Sequence, residues 1–354
     1  MSARRKPITD EQLQNFKFLR KFLPLLNRLH PHATARDKAH NRILHVDQYI
    51  ALQLVLFFNS IVTSMRGLAQ ASELRKRRRE LGVCPTSVGS FSEAGGVVDA
   101  ERLKPIVAEL GSQLKPLAHD SRLEDLPRKL TAVDGTERSA LAKLAASAWT
   151  GRDIKLHTHC EPLKGVPVDI DPTAAGDREI ENLLKRRLPD RVYVRDRGSA
   201  CFRLFQAIID IGSWCVCRMR DNSVYEGIEE RPLSAEAKAA GILSDQRVWL
   251  GCAEKREELK RPVRVIQIAC EPHQKRSGHT GRGGPDQGKF LLIATNLMDV
   301  PAEGVALVYR KRWTVELLFR LFKHRLGCRH LLGHRANGIE IQPYLAIIVC
   351  MLMA

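Results

Sequence analysis

Lys129-Leu-Thr-Ala-Val133 and Arg191-Val-Tyr-Val-Arg195 are short strand-prone runs, and each delivers an aspartate, Asp134 and Asp196, at its C-terminal end. Open α/β sheets tend to place chemistry at that end of their strands. The surrounding segments keep alternating between periods. Ile154 to His159 and Val166 to Ile170 read as paired strands around a turn at Lys164-Gly165, and Ala175 to Leu188 reads as a helix. Phe202, Phe205, Ile208 and Ile209 mark one face of a second helix, closed by Gly212. A strand follows near Trp214 to Met219, and Phe290 to Thr295 supplies another. The predicted fold class is α/β.

The first 125 residues have a different texture. Gln12 to Leu26, Val46 to Val62 and Glu101 to Leu114 are helical in length and spacing, and the densest basic run of the chain, Arg75-Lys76-Arg77-Arg78-Arg79, lies between helices. Such a run is often only a solvated face. Here it belongs to a chain of 354 residues with 57 Lys and Arg against 40 Asp and Glu, a formal charge of +17. That excess points to a polyanion, most simply nucleic acid. Residues 1–125 are therefore read as a helical DNA-binding region, with Arg75, Lys76, Arg77, Arg78 and Arg79 as candidate DNA contacts.

At 44% hydrophobic and 27% charged, the chain excludes pervasive disorder, a collagen-like repeat and a disulfide miniprotein. Nine scattered cysteines without framework spacing imply a reducing compartment, hence the cytoplasm. Tyr49 to Met65 carries no charge but includes Gln53, Asn59, Ser60, Thr63 and Ser64, so it reads as a buried helix. Ile341 to Ala354 is too short to span a bilayer. The N-terminal residues lack the apolar core of a signal peptide. No membrane association is expected.

Val305 to Leu326 reads as one long helix. At about 100° per residue, Tyr309, Arg312, Glu316 and Lys323 project within roughly 60° of one another. Taken alone, that pattern also fits ion pairs on an exposed stripe. Three carboxylates from separate elements, Asp134, Asp196 and Glu316, could instead hold hard divalent ions through oxygen. Two such ions would serve phosphodiester cleavage.

Together these segments resemble the bacterial DDE transposases of the insertion sequence 4 type, over roughly Leu130 to the C-terminus. The resemblance rests on Ala132-Val-Asp-Gly-Thr136, on Tyr193-Val-Arg-Asp-Arg-Gly198, and on Tyr309, Arg312, Glu316 and Lys323 as the family's Y-R-E-K signature. Thr295-Asn-Leu297 also looks like the family. The resemblance implies an RNase H-like catalytic core over residues 126–354, interrupted by a β-rich insertion over about 221–289. It implies Asp134, Asp196 and Glu316 as the metal-binding triad for two Mg²⁺ ions, with Mn²⁺ able to substitute. Tyr309, Arg312 and Lys323 would contact phosphates at the element end. The implied partners are double-stranded DNA, both terminal inverted repeats and target, bound by a homodimer.

The chain departs from the pattern at Ser199, where relatives carry an aromatic residue. It also stops at Ala354, where relatives continue through further helices. The expected function is a DNA transposase performing metal-dependent cleavage and strand transfer. The alternative is an inactive, C-terminally truncated remnant that only binds element-end DNA. A host nuclease of the same fold is a third reading.

Other signals are weaker. Gly283 to Lys289 imitates a phosphate-binding loop until Phe290 replaces the Ser or Thr that would meet magnesium. His157, His159 and Cys160, like Cys215 and Cys217, lack paired zinc spacing. Trp249 reads as a half-buried strand residue rather than a platform for an extruded base.

Overall fold

A computed structural model describes residues 8–13, 16–30, 43–59, 61–115, 123, 129–136, 154–174, 179–252, 257–270, 290–324 and 336–353. The glycine-rich basic stretch His273 to Lys289 lies outside them.

Six α-helices come first among the described residues: α1 (Phe16–Asn27), α2 (Val46–Phe58), α3 (Met65–Glu73), α4 (Arg75–Leu81), α5 (Val88–Val97) and α6 (Lys104–Gln113). The uncharged run does form a buried helix, with Tyr49 to Phe58 buried throughout. It stops at Asn59, whose side-chain amide donates to the Val55 carbonyl at 2.8 Å and competes with the next helical turn. The basic run does not lie between helices. It forms α4 itself, ended by Gly82 in the left-handed region at φ 64°.

The remainder alternates. It comprises β1 (Lys129–Thr136), β2 (Ile154–Glu161), β3 (Val166–Ala174), α7 (Glu179–Arg186), β4 (Arg191–Arg195), α8 (Phe202–Asp210) and β5 (Trp214–Arg218). Then come β6 (Tyr225–Glu230), α9 (Ala235–Ala239), β7 (Ile242–Leu250), β8 (Val263–Ala269), β9 (Phe290–Thr295), α10 (Ala302–Arg310), α11 (Trp313–His324) and α12 (Ala336–Met353).

The nine strands among the described residues form one sheet in the order β3-β2-β1-β4-β5-β9-β8-β7-β6. β1, β4 and β5 are mutually parallel, and the other pairings are antiparallel. The strands from 225 to 269 thus extend the same sheet through β9 rather than folding apart from it.

Both faces are covered. Alternation along β4 sends Tyr193 to one side, where it packs with Val133, Cys215 and Cys217 under Leu183 of α7 and Leu204, Phe205 and Ile208 of α8. Val192 and Val194 face the other side, into a larger core shared with the N-terminal helices, α10 and α12. α2 and α12 lie in that core and are apolar around nearly their whole circumference. Each fully buried Leu or Ile there contributes about 1.5–3 kcal/mol, so a charge at Leu54 or Ile347 would disrupt the layer. Among the described residues, no helix is long and apolar enough to cross a membrane.

Within the expected single helix from Val305 to Leu326, the described residues 305–324 belong to two helices. Between them the winding tightens: Arg312 N–H donates to Tyr309 O, Thr314 to Lys311 O, and Val315 to Arg312 O, at 3.0 to 3.1 Å. α10 packs along β4, β5 and β7, whereas α11 packs against β1 and β3. One straight helix could not follow both parts of a twisted sheet.

Candidate active site

The parallel ladder of β1 and β4 ends at the pair Ala132 and Val194. Two residues further along each strand stand Asp134 and Asp196. Neighbouring strands lie about 4.8 Å apart, so the ladder brings both positions to one spot. Asp134 is not the last residue of β1, which continues to Thr136 and pairs position 134 with Thr158 of β2. The Asp134 carboxylate itself lies outside the described residues.

Asp196 follows β4 and caps a short 3₁₀ turn, Arg197–Ser199, its Oδ1 accepting the Arg197 N–H at 2.8 Å. The same oxygen lies 3.4 Å from the Tyr309 hydroxyl, which donates to it. Tyr309 is the penultimate residue of α10, one 3₁₀ turn before Arg312. Residues three apart eclipse in such a turn, so the two stay on one side despite the helix break. The Arg312 guanidinium sits 5.9 Å from the Tyr309 ring centroid and pairs with Glu316, Nη1 to Oε1, at 2.7 Å.

The second Glu316 oxygen is the notable atom. Oε2 is buried and has no hydrogen-bond partner among the described residues. A buried carboxylate oxygen without a donor is costly, and a hard divalent cation is what such an oxygen binds best. The donor set therefore fits a metal: one unsatisfied carboxylate on α11, which packs on β1, with Asp196 at the adjoining strand end. Among the described side chains, no group of three His, Cys, Asp or Glu is gathered as a metal cage.

Burial shapes the neighbouring groups. It raises the Tyr309 hydroxyl above the ordinary phenol range, and nearby Asp196 pushes it further, so Tyr309 remains a neutral donor. Burial works against the Arg312 charge, but Tyr309, Asp196 and Glu316 around it outweigh that and raise its pKa. The Cys217 thiol, 3.7 Å from the Asp196 carbonyl, is pushed up to about 12, chiefly by burial. It is a packing residue rather than a nucleophile.

The other sequence candidates divide. The Lys323 side chain lies outside the described residues, although its backbone belongs to α11. On α4, Arg75, Lys76 and Arg79 are exposed and Arg78 is half-buried. Arg77 points inward. It pairs with Glu80 at 2.7 Å and with the Asp10 carboxylate at 3.2 Å, donates to the carbonyls of Asp10 and Leu13, and lies over the Phe16 ring. As a direct DNA contact it is corrected, because its guanidinium is consumed in holding the N-terminal turn. Trp249 is half-buried in β7, as expected. Sequence reasoning missed the exposed pair Trp313 and Leu317, on the face of α11 opposite buried Val315 and Leu318. Their i, i+4 spacing, out of phase with the buried residues, was the available signal.

The family described as "Transposase DDE domain" matches residues 125–352. "Putative transposase y4zB" of Sinorhizobium fredii is 25% identical over 205 residues, covering 57% of this chain and 53% of that protein. "Probable transposase for insertion sequence element IS5377" of Geobacillus stearothermophilus is 24% identical over 233 residues, covering 64% and 56%. The chain thus spans about half the length of the curated relatives it matches. A solved piggyBac transposase synaptic complex with hairpin DNA aligns over 97% of this chain and 75% of its own, at 11% identity and a TM-score of 0.42. With its family match running from just before β1 to the penultimate described residue of α12, the chain belongs to the transposase DDE domain family.

Proposed function

We propose that this chain carries the DNA-cleaving and strand-transferring activity of an insertion-sequence transposase of the insertion sequence 4 type. The core over residues 126–354 is RNase H-like, a reading supported by the antiparallel β1–β3 meander that continues into parallel β4 and β5. Residues 1–125 form the DNA-binding region. The protein works in the cytoplasm, as a homodimer on terminal inverted repeats and target DNA.

One observation carries this reading. Glu316 has one oxygen on Arg312 and the other buried without a donor among the described residues, on a helix packed against the strand that bears Asp134. Asp134, Asp196 and Glu316 are the residues that would hold two Mg²⁺ ions, or Mn²⁺ in their place. Bound there, the ions supply Lewis acidity to the attacking and leaving oxygens.

The chain's own groups do the rest. Tyr309 holds the Asp196 carboxylate through its hydroxyl. Arg312 and Lys323 present cations to the phosphates beside the scissile bond, Arg312 as a planar fork and Lys323 as a point charge. In the hydrolytic step, water oxygen bonds to phosphorus as the bond to the 3′ oxygen breaks, and that oxygen leaves as a 3′-hydroxyl. The hydroxyl then attacks a target phosphodiester and displaces its 3′ oxygen in turn.

The test is nicking of a labelled duplex ending in the element's own inverted repeat, with Mg²⁺ or Mn²⁺. Wild type should nick at the repeat boundary, and Asp134→Asn, Asp196→Asn and Glu316→Gln should each stop nicking while retaining end binding. Specific binding by wild type without nicking in either metal would refute the enzyme and favour a binding remnant.

A further inference from the structure

Arg264 on β8 is 2% exposed, one of the most deeply buried charges in the molecule. A guanidinium is tolerated at such depth only when its donors are matched by acceptors. Nε and Nη2 fork onto both oxygens of Asp245 on β7, at 2.7 and 2.5 Å. Nη1 turns the other way and donates to the carbonyls of Leu297 and Val300, at 3.0 and 2.5 Å. Those carbonyls belong to the turn joining β9 to α10. The N-cap of α10 is Pro301, which offers no side-chain cap.

The same turn is held from its other side. Asn296 Oδ1 accepts the Cys215 N–H of β5 at 2.8 Å, and its amide donates to the Ser213 carbonyl at 3.1 Å. Groups from β5, β7 and β8 therefore converge on a few residues that launch α10. Seven residues after its first residue, α10 delivers Tyr309 to Asp196, and one turn later the chain places Arg312 on Glu316.

We propose that Arg264, seated by Asp245, is a positioning residue for the segment Tyr309 to Glu316. The inference rests on the transposase reading for its catalytic consequence, but not for the clamp itself. Its leverage follows from helix geometry. The distance from Ala302 to Tyr309 is about 10 Å along the axis, so a tilt of about 10° at the turn displaces the tyrosine by roughly 2 Å. A 3.4 Å hydrogen bond does not survive that displacement. Strands β7 and β8, which the resemblance places in an insertion, thereby act on the site from outside it.

The decisive comparison is Arg264→Lys against Val265→Ala in the full chain. Lysine keeps a charge for Asp245 but cannot fork onto it and reach both carbonyls. Val265 is the adjacent buried residue, and strand alternation sends it to the opposite face of β8, into the core beneath α7 and α8. Hydrogen–deuterium exchange of the DNA-free protein should rise in Arg264→Lys within peptides spanning 296–316, beyond any rise in Val265→Ala. On the end duplex, nicking at saturating DNA should fall about tenfold or more, with end affinity within about twofold of wild type. Combining Arg264→Lys with Tyr309→Phe should cost less than the product of the single losses, because both act through one contact.

Exchange in 296–316 that matches Val265→Ala would overturn the clamp. Raised exchange with unchanged nicking, or with multiplicative losses, would overturn its role in positioning. A wild type that nicks no end duplex, while Arg264→Lys still loosens 296–316, would refute the transposase reading and uphold the clamp.

Discussion

Arg77 and Arg312 make similar ion pairs in two places. Arg77 meets Glu80 three residues on within α4, Arg312 meets Glu316 four residues on from the tightened turn before α11, and each pair closes at 2.7 Å. Each was expected to meet DNA. Their surroundings separate them. Arg77 also holds the Asp10 carboxylate and two backbone carbonyls of the N-terminal turn, and packs over Phe16. Arg312 stands among groups of the opposite kind: Asp196 nearby, a tyrosine already on that carboxylate, and a glutamate with one buried oxygen that has no partner among the described residues. An arginine whose acceptors are backbone carbonyls is part of the scaffold. An arginine gathered with two carboxylates and a tyrosine belongs to a polar cluster that can take part in chemistry.

The sharpest way to break this comparison is stability. Arg77→Ala should lower the unfolding free energy by about 3 kcal/mol, since it removes the guanidinium that pairs with Asp10 and Glu80 and satisfies two carbonyls in a poorly hydrated place. Urea unfolding measures it, and a loss below about 1 kcal/mol would return Arg77 to the surface class.

Arg312→Gln should show the reverse balance. Its cost to stability should stay within about 1 kcal/mol, as for a partly exposed i, i+4 pair. Nicking of the end duplex should drop about 10- to 100-fold, from loss of a charge-assisted phosphate contact worth about 1–3 kcal/mol. Without the competing guanidinium, Mn²⁺ binding to the DNA-free protein, followed by electron paramagnetic resonance, should tighten. Weaker Mn²⁺ binding would mean that Arg312 builds the metal site instead of competing for it.

The smallest effect sharpens the reading of α4. Replacing exposed Arg75, Lys76 and Arg79 by alanine should flatten the slope of log affinity against log salt by up to about 2.7, or about 0.9 for each phosphate neutralised. Adding Arg77→Ala should flatten it no further in protein that remains folded. An unchanged slope in the triple variant would make α4 a solvated face and remove it from the DNA interface.

Much of this was legible beforehand. The strands around Asp134 and Asp196, the β2–β3 hairpin, α8 with its closing Gly212 at φ 71°, and β9 all lie close to where alternation and turn residues put them. Charge counting singled out α4, but could not tell which of five neighbouring cations turns inward. That depends on Asp10 and Leu13, more than 60 residues away in the chain. Angular arithmetic grouped Tyr309, Arg312 and Glu316 correctly for an incomplete reason. It assumed one straight helix, whereas a tightened turn keeps Tyr309 and Arg312 on one side while α10 and α11 follow different strands. Arg264 and Asp245 carried no readable sign, because a buried arginine in a polar stretch looks like any surface charge.

Residue type and spacing alone determined the element types, the placement of the two aspartates towards the C-terminal ends of separate strands, the signature glutamate and the excess of positive charge, since all of these follow from local periodicity and composition. Only the tertiary structure decided which cations are scaffold and which face the site, and where the signature helix divides. It also decided that β7 and β8 join the same sheet and grip the turn before α10. Those outcomes depend on which distant carbonyls and carboxylates arrive within about 3 Å of a guanidinium, and chain spacing does not encode that distance.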